Sequence, residues 1–97
     1  MILNQLTTAH FFAREFDEAV AWSSRNVEEH PTFTPGRRFL AASLAHLGQI
    51  EQARTTIAEL LQIQPNSSLR LSRLNSYRYT WMTELFVDGL RLAGLPE

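Results

Sequence analysis

The sequence predicts an all-α fold, a superhelix of helix hairpins closed by a C-terminal capping helix. Three observations carry that expectation. Gly48, Ile50, Ala53, Leu61 and Pro65 lie 34 residues after Arg14, Phe16, Ala19, Val27 and Pro31, so RE-F-DEA…V…P returns as GQ-I-EQA…L…P. A repeat of roughly that length is the period of a helix-turn-helix unit, which buries its apolar face by stacking on the next unit. Pro31, Pro35, Gly48 and Pro65 punctuate stripes of apolar residues at helical spacing. Past Pro65 the repeat is lost while an amphipathic segment remains, as in terminal units that must cover a last apolar face.

Each element follows from local chemistry. A first helix is expected from about Ile2 to Ala13, with Leu3, Leu6, Ala9 or His10, and Ala13 as its apolar stripe. A second runs from about Asp17, read as its N-cap, to Glu29 through Ala19, Val20, Ser23 and Val27. His30-Pro31 ends it, because a residue before proline is pushed out of the α region. Thr34 is read as the next N-cap with Pro35 at the first helical position, before Phe39, Leu40, Leu44 and Leu47. Ala41, Ala42, Ser43 and Ala45 let the paired helix approach closely. Gly48 supplies a left-handed C′ residue, and Ile50 to Ile63 returns with Ala53, Ile57, Leu60 and Leu61 inward until Pro65. Ser67 or Ser68 caps a short helix through Leu69, Leu71 and Leu74, and Asn75-Ser76-Tyr77 makes a break. A last helix from about Thr80 to Ala93 offers Trp81, Leu85, Phe86, Leu90 and Leu92 for covering the end of the array, and Gly94-Leu95-Pro96 stops it.

Composition narrows the function classes. The 97 residues make a single domain with a modest core, so a terminal cap or self-association matters more than in a larger chain. A net charge of -1 with interspersed signs gives no field that argues for nucleic acid or an anionic membrane. No stretch approaches a membrane span or a secretory signal, and without cysteine there is no disulfide frame, so a soluble cytoplasmic protein is expected.

The period, the Ala at one fixed point of each unit (Ala19, Ala53) and the Pro after each second helix resemble the tetratricopeptide repeat. On that resemblance the single domain spans residues 1–97, with one repeat over about 1–33, a second over about 34–67 and a helical cap over about 68–97. A helix starting almost at Met1 then begins a repeat without an N-cap, which suggests the tail of a longer array with an open upstream face. The chain departs from the family pattern at His10 and Leu44, where a Tyr is usual, and at Ser23 and Ile57, where an aromatic is usual, while Trp22 sits one residue early. The ending is similar to that of bacterial proteins in which such arrays follow a class III adenylate or guanylate cyclase domain or a winged-helix DNA-binding domain. The residues that carry this are Leu69, Arg70, Leu71, Arg73, Tyr77, Glu84, Leu85 and GLRLAGLPE over 89–97. Neither a cyclase nor a DNA-binding domain lies within the sequence, so no activity or metal residue of theirs is carried over.

The resemblance implies a non-catalytic protein-protein interaction module whose partner lies in a concave groove lined by the first helix of each repeat. Its groove residues would be Asn4, Thr8, Phe11 and Phe12, then Arg38, Ala42, Ala45 and His46. Two adjacent aromatics cannot both point into one helix pair, so Phe11 or Phe12 either anchors a partner or both fill a small core. Arg38 is a candidate for pairing with a partner carboxylate, although Ala42 stands where a carboxylate clamp would carry a polar residue. Two alternatives stay open: a homodimer through the uncapped first helix, and an enzyme with an unrecognised site. Against the latter, His10, His30 and His46 fall on three segments, and no HExxH, GxSxG or glycine-rich phosphate loop is present. No metal or cofactor is expected. Asp17-Glu18 and Glu28-Glu29 suit helix ends and solvent, and Arg37-Arg38, Arg70, Arg73 and Arg78 read as surface charge rather than a nucleic-acid footprint.

Overall fold

The computed structural model describes residues 2–74, 77 and 79–97, so Asn75 and Ser76 of the expected break, and Arg78, lie outside the described residues. All regular structure among the described residues is helical: α1 (Ile2–Phe12), α2 (Phe16–Glu29), α3 (Thr34–His46), α4 (Ile50–Ile63), α5 (Leu69–Arg73) and α6 (Thr80–Leu92). Consecutive long helices pack in pairs, α1 on α2, α2 on α3 and α3 on α4, while α6 lies along α3.

The repeat is visible in the backbone. Arg14 and Gly48, at equivalent positions, both take positive φ, 62° and 83°. Each turns the chain between the helices of a hairpin, and the amides that follow bond back alike, Glu15 to the His10 carbonyl and Gln49 to the Leu44 carbonyl, each at 2.9 Å. Glycine reaches that region without penalty and arginine does not.

Helix starts differ from the expected caps. α2 begins at Phe16 with Glu15 at its N-cap, and α3 begins at Thr34 with Phe33 at its N-cap, neither making a side-chain cap bond. Asp17 therefore lies in the first turn of α2 with Glu18, where negative charge meets the positive end of the helix dipole. Pro35 lies in the first turn of α3, at the second helical position where the first was expected. Ser68 does cap α5, its hydroxyl accepting from the Leu71 amide at 3.1 Å.

The inward face of α1 is rotated from the expected stripe. Leu3, Thr7 and Phe11 are buried, spaced by four residues, while Ala9 and Ala13 are exposed. Thr7 is accommodated because its hydroxyl donates to the Leu3 carbonyl at 2.8 Å, so no polar group is stranded. Ser23 and Ser43 repeat the device, donating to the Ala19 and Phe39 carbonyls at 2.6 and 2.7 Å. The sequence pattern places Ser23 and Ser43 and passes over Thr7.

The main partner of α6 is α3. Leu85 meets His46 and Gly89 meets Ala42, so α6 runs antiparallel to α3. The contact is close because Ala42 and Gly89 are small: a Cβ on Gly89 would sit 2.8 Å from the Ala42 Cβ and 2.9 Å from its carbonyl oxygen. Leu85, Phe86 and Leu90 are buried as expected, but Trp81 and Leu92 stay 47% and 53% exposed. The tail then folds over α5, where the Leu69 amide donates to the Pro96 carbonyl at 2.8 Å.

Candidate binding site

The eight residues expected to line a groove separate into two sets. Phe11, Ala42, Ala45 and His46 are taken up by the fold, which corrects their assignment to a partner-facing surface. Phe11 is fully buried at the hub of a ring cluster, with Phe12, Phe39, Phe16 and Phe86 at centroid distances of 5.1, 5.3, 5.5 and 6.1 Å. Most of these pairs meet edge to face, the arrangement the ring quadrupole favours. Ala42 and Ala45 are buried in the core, Ala42 beneath Gly89 of α6. The His46 ring stacks on Phe16 at 4.8 Å, and its Nε2 lies 2.8 Å from the Leu85 carbonyl, which requires that nitrogen to carry the proton and donate. Helix α6 accounts for Ala42, which lies beneath Gly89, and for His46, which bonds Leu85, while Phe11 on α1 is enclosed by rings from α1, α2, α3 and α6.

Asn4, Thr8, Phe12 and Arg38 remain half-buried and come together on one face. Asn4, Thr8 and Arg38 line a cleft of about 510 Å³ whose other walls include Phe39, Leu74 and Tyr77. Thr8 and Tyr77 also form one wall of a neighbouring cleft of about 460 Å³, lined further by Ala9, Phe12 and Met82. The second cleft is mainly apolar, and the Phe12 ring between Tyr77 at 4.9 Å and Trp81 at 6.2 Å forms its aromatic side.

Arg38 gives the first cleft its chemistry. Its Nη1 donates to Gln64 Oε1 at 3.3 Å, while Nε is buried with no acceptor among the described residues. Asn4 Oδ1 is buried in the same cleft without a donor among the described residues. Arg37 next door has a carboxylate, Glu59, 3.8 Å from its Nε, and also donates to the Pro31 carbonyl; no such carboxylate faces Arg38 among the described residues. Burial lowers the Arg38 pKa, an effect the adjacent Tyr77 partly offsets. Burial likewise raises the Tyr77 hydroxyl above its ordinary value, against the pull of Arg38. At neutral pH the cleft thus holds a cation and an orphan acceptor beside apolar walls.

Tyr77, Leu74 and Met82 were not assigned to a site from the sequence. Tyr77 was legible as part of a break and of the family-like ending, and its place with Asn4 and Arg38 in one cleft depends on where α5 and α6 fold back. Among the described residues, no three His, Asp or Glu side chains lie where they could hold a metal ion, and no helix is long and apolar enough to cross a membrane. Comparisons with protein-family models, curated proteins and solved structures give no match to this chain.

Proposed function

We propose that the chain is a non-catalytic protein-interaction module built from two tetratricopeptide-type hairpins, α1–α2 and α3–α4, with α5 and α6 as a C-terminal cap. The observation that carries this reading is the paired clefts: a half-buried cation and a ring platform sit side by side on a helical scaffold, open to solvent. Buried aromatics and arginine supply most of the energy of protein interfaces when a partner covers them. Sequential packing of α1 through α4 and the positive φ shared by Arg14 and Gly48 support the repeat reading. The similarity of residues 69–97 to the endings of cyclase-like and winged-helix regulators supports a place for the module in such a regulator, in the cytoplasm.

Ala9 is exposed on the rim of the apolar cleft, so Ala9→Glu fills the cleft with charge without disturbing the core. A partner from an extract of the source cells should be retained by the wild-type chain and lost with Ala9→Glu at unchanged circular dichroism. Equal retention of the same proteins by both forms would sink the reading of this face as the partner site.

Self-association is the second reading, favoured by the open side of α1. Ile2 is 68% exposed, and α1 buries only Leu3, Thr7 and Phe11. Light scattering on the wild type and an Ile2→Ser variant tests it: a dimer that the variant converts to folded monomer would establish it, and a monomeric wild type would remove it.

A further inference from the structure

Helix α5 is weakly anchored. Its five residues make little more than one turn, too short to hold together without tertiary support. It buries Leu69 and Ser72, while Leu71 is 45% and Leu74, just past its end, 73% exposed. Its main packing partner is α6. One polar tie to the rest of the chain is the ion pair of Arg73 with Glu84 at 2.6 Å, both side chains nearly half exposed, where such pairs contribute little. A second comes from the tail. After α6, Gly94 turns the backbone at φ 96°, the Leu95 amide bonds back to the Leu90 carbonyl at 3.1 Å, and the Leu95 side chain is buried. The Pro96 carbonyl then lies 2.8 Å from the Leu69 amide. The first amides of a helix have no partner within it, so the tail completes a bond that α5 cannot make for itself.

The same segment stands between two clefts. Arg38 and Leu74 line both the cleft of about 510 Å³ and another of about 320 Å³, whose remaining walls are Gln64, Ser67, Ser68, Leu71 and Ser72. We propose that α5 is a lid, held shut by residues 94–97 as a strap, and that it opens while α1 to α4 and α6 stay folded. Opening carries Leu71 to Leu74 away from Arg38 and joins the two clefts, so the strap sets how much of the α3 surface around Arg38 is accessible. An element that buries two residues is released more readily than α3, which buries seven, and regions of few buried contacts open separately from the global transition. The lid depends on packing within the chain alone, and it stands or falls independently of the partner reading.

The chain has no cysteine, so a single introduced thiol reports opening at its own position. Ser72→Cys puts one on the buried side of α5, and Ser43→Cys puts one in the core of α3. Each variant is labelled with a chromogenic disulfide reagent over a series of low urea concentrations. The thiol at position 72 should react at least about a hundredfold faster than that at position 43. Its rate should change little with urea, because a small opening exposes little surface, while the rate at position 43 climbs with the global transition. Adding Gly94→Ala strains the strap without a clash, since a Cβ there meets nothing within 4 Å, and should raise the rate at position 72 about tenfold. Equal rates with equal urea slopes would overturn the lid, because α5 would then open only with the whole chain. Fast labelling at position 72 that Gly94→Ala leaves unchanged would overturn the strap. Should either thiol variant fail to fold, hydrogen exchange of the wild-type amides decides: Ser72 and Leu74, bonded to the Ser68 and Leu71 carbonyls, should exchange well before Ala53 in α4, and exchange of all three in one cooperative step would overturn the lid.

Discussion

The hairpins α1–α2 and α3–α4 share a sequence plan and end in different surroundings. Helix α3 has neighbours on three sides, α2, α4 and α6, and buries every residue from Ala41 through Ala45 as well as Phe39. Helix α1 has α2 as its main neighbour and buries three residues. The contrast is sharpest at Thr8 and Ala42, which are 34 residues apart in equivalent places: Thr8 lines both open clefts, and Ala42 lies sealed under Gly89. A repeat thus sets which residues belong to a helix face, while the non-repeating tail decides which faces remain free.

Removing the ring hub should break both hairpins together. Phe11→Ala vacates a fully buried site shared by α1, α3 and α6, and about 3–5 kcal/mol of stability should be lost. Domains of this size have roughly 5–15 kcal/mol in all, so the urea midpoint should fall by at least about a fifth.

The equivalent pair tests the comparison directly. Ala42→Leu forces extra volume against Gly89 and should cost at least about 1–3 kcal/mol, whereas Thr8→Leu grows into an open cleft and should stay within about 0.5 kcal/mol. Similar losses at the two positions would show that α6 does not hold the close contact on α3 in solution. Gly89→Ala probes that contact from the other side. The new Cβ meets Ala42 backbone atoms at 2.9 Å, so a cost of about 1–3 kcal/mol should exceed the gain of up to roughly 1 kcal/mol from better helix propensity. Thermal melts of the variant should be lower than those of the wild type.

The turns allow a smaller test. Arg14→Gly relieves a side chain at φ 62° and should raise stability by up to about 1 kcal/mol, while Gly48→Ala at φ 83° should lower it by about 1–2 kcal/mol. Opposite signs at equivalent positions would confirm that both turns need the left-handed backbone and only one has the residue for it. The smallest effect is expected at alkaline pH. Tyr77 keeps its proton in the folded chain past the ordinary value of 10.0, at which the unfolded chain releases it. Its contribution is therefore complete below that pH and is lost as pH rises through the folded value, so Tyr77→Phe should flatten the alkaline fall in stability.

Helix positions were legible in the sequence because they depend on contacts a few residues apart. Apolar spacing, the prolines and Gly48 place the six helices of the described residues with ends shifted by two residues at most. The inward residues were less legible where a hydroxyl bonds its own helix, as at Thr7, because the backbone carbonyl that satisfies it is invisible in a hydropathy pattern. The candidate site was half legible. Asn4, Thr8, Phe12 and Arg38 emerged from the repeat register, but Tyr77, Leu74 and Met82 join them only through the return of the tail, which also brings Phe86 against Phe11 and the Leu85 carbonyl to His46.

The all-helical class, the order and approximate lengths of the helices and the equivalence of the two hairpins were determined by the sequence alone. Local periodicity and the backbone preferences of glycine and proline act within one turn of chain and need no knowledge of distant partners. The choice of α3 as the seat of α6 was decided by the tertiary structure. Only in three dimensions do Ala42 and Gly89 meet closely enough to admit a helix, and Phe86 reach a ring cluster drawn from α1 and α3. That choice closed one face of α3 and brought Tyr77 and Met82 to the clefts that Asn4, Thr8, Phe12 and Arg38 line.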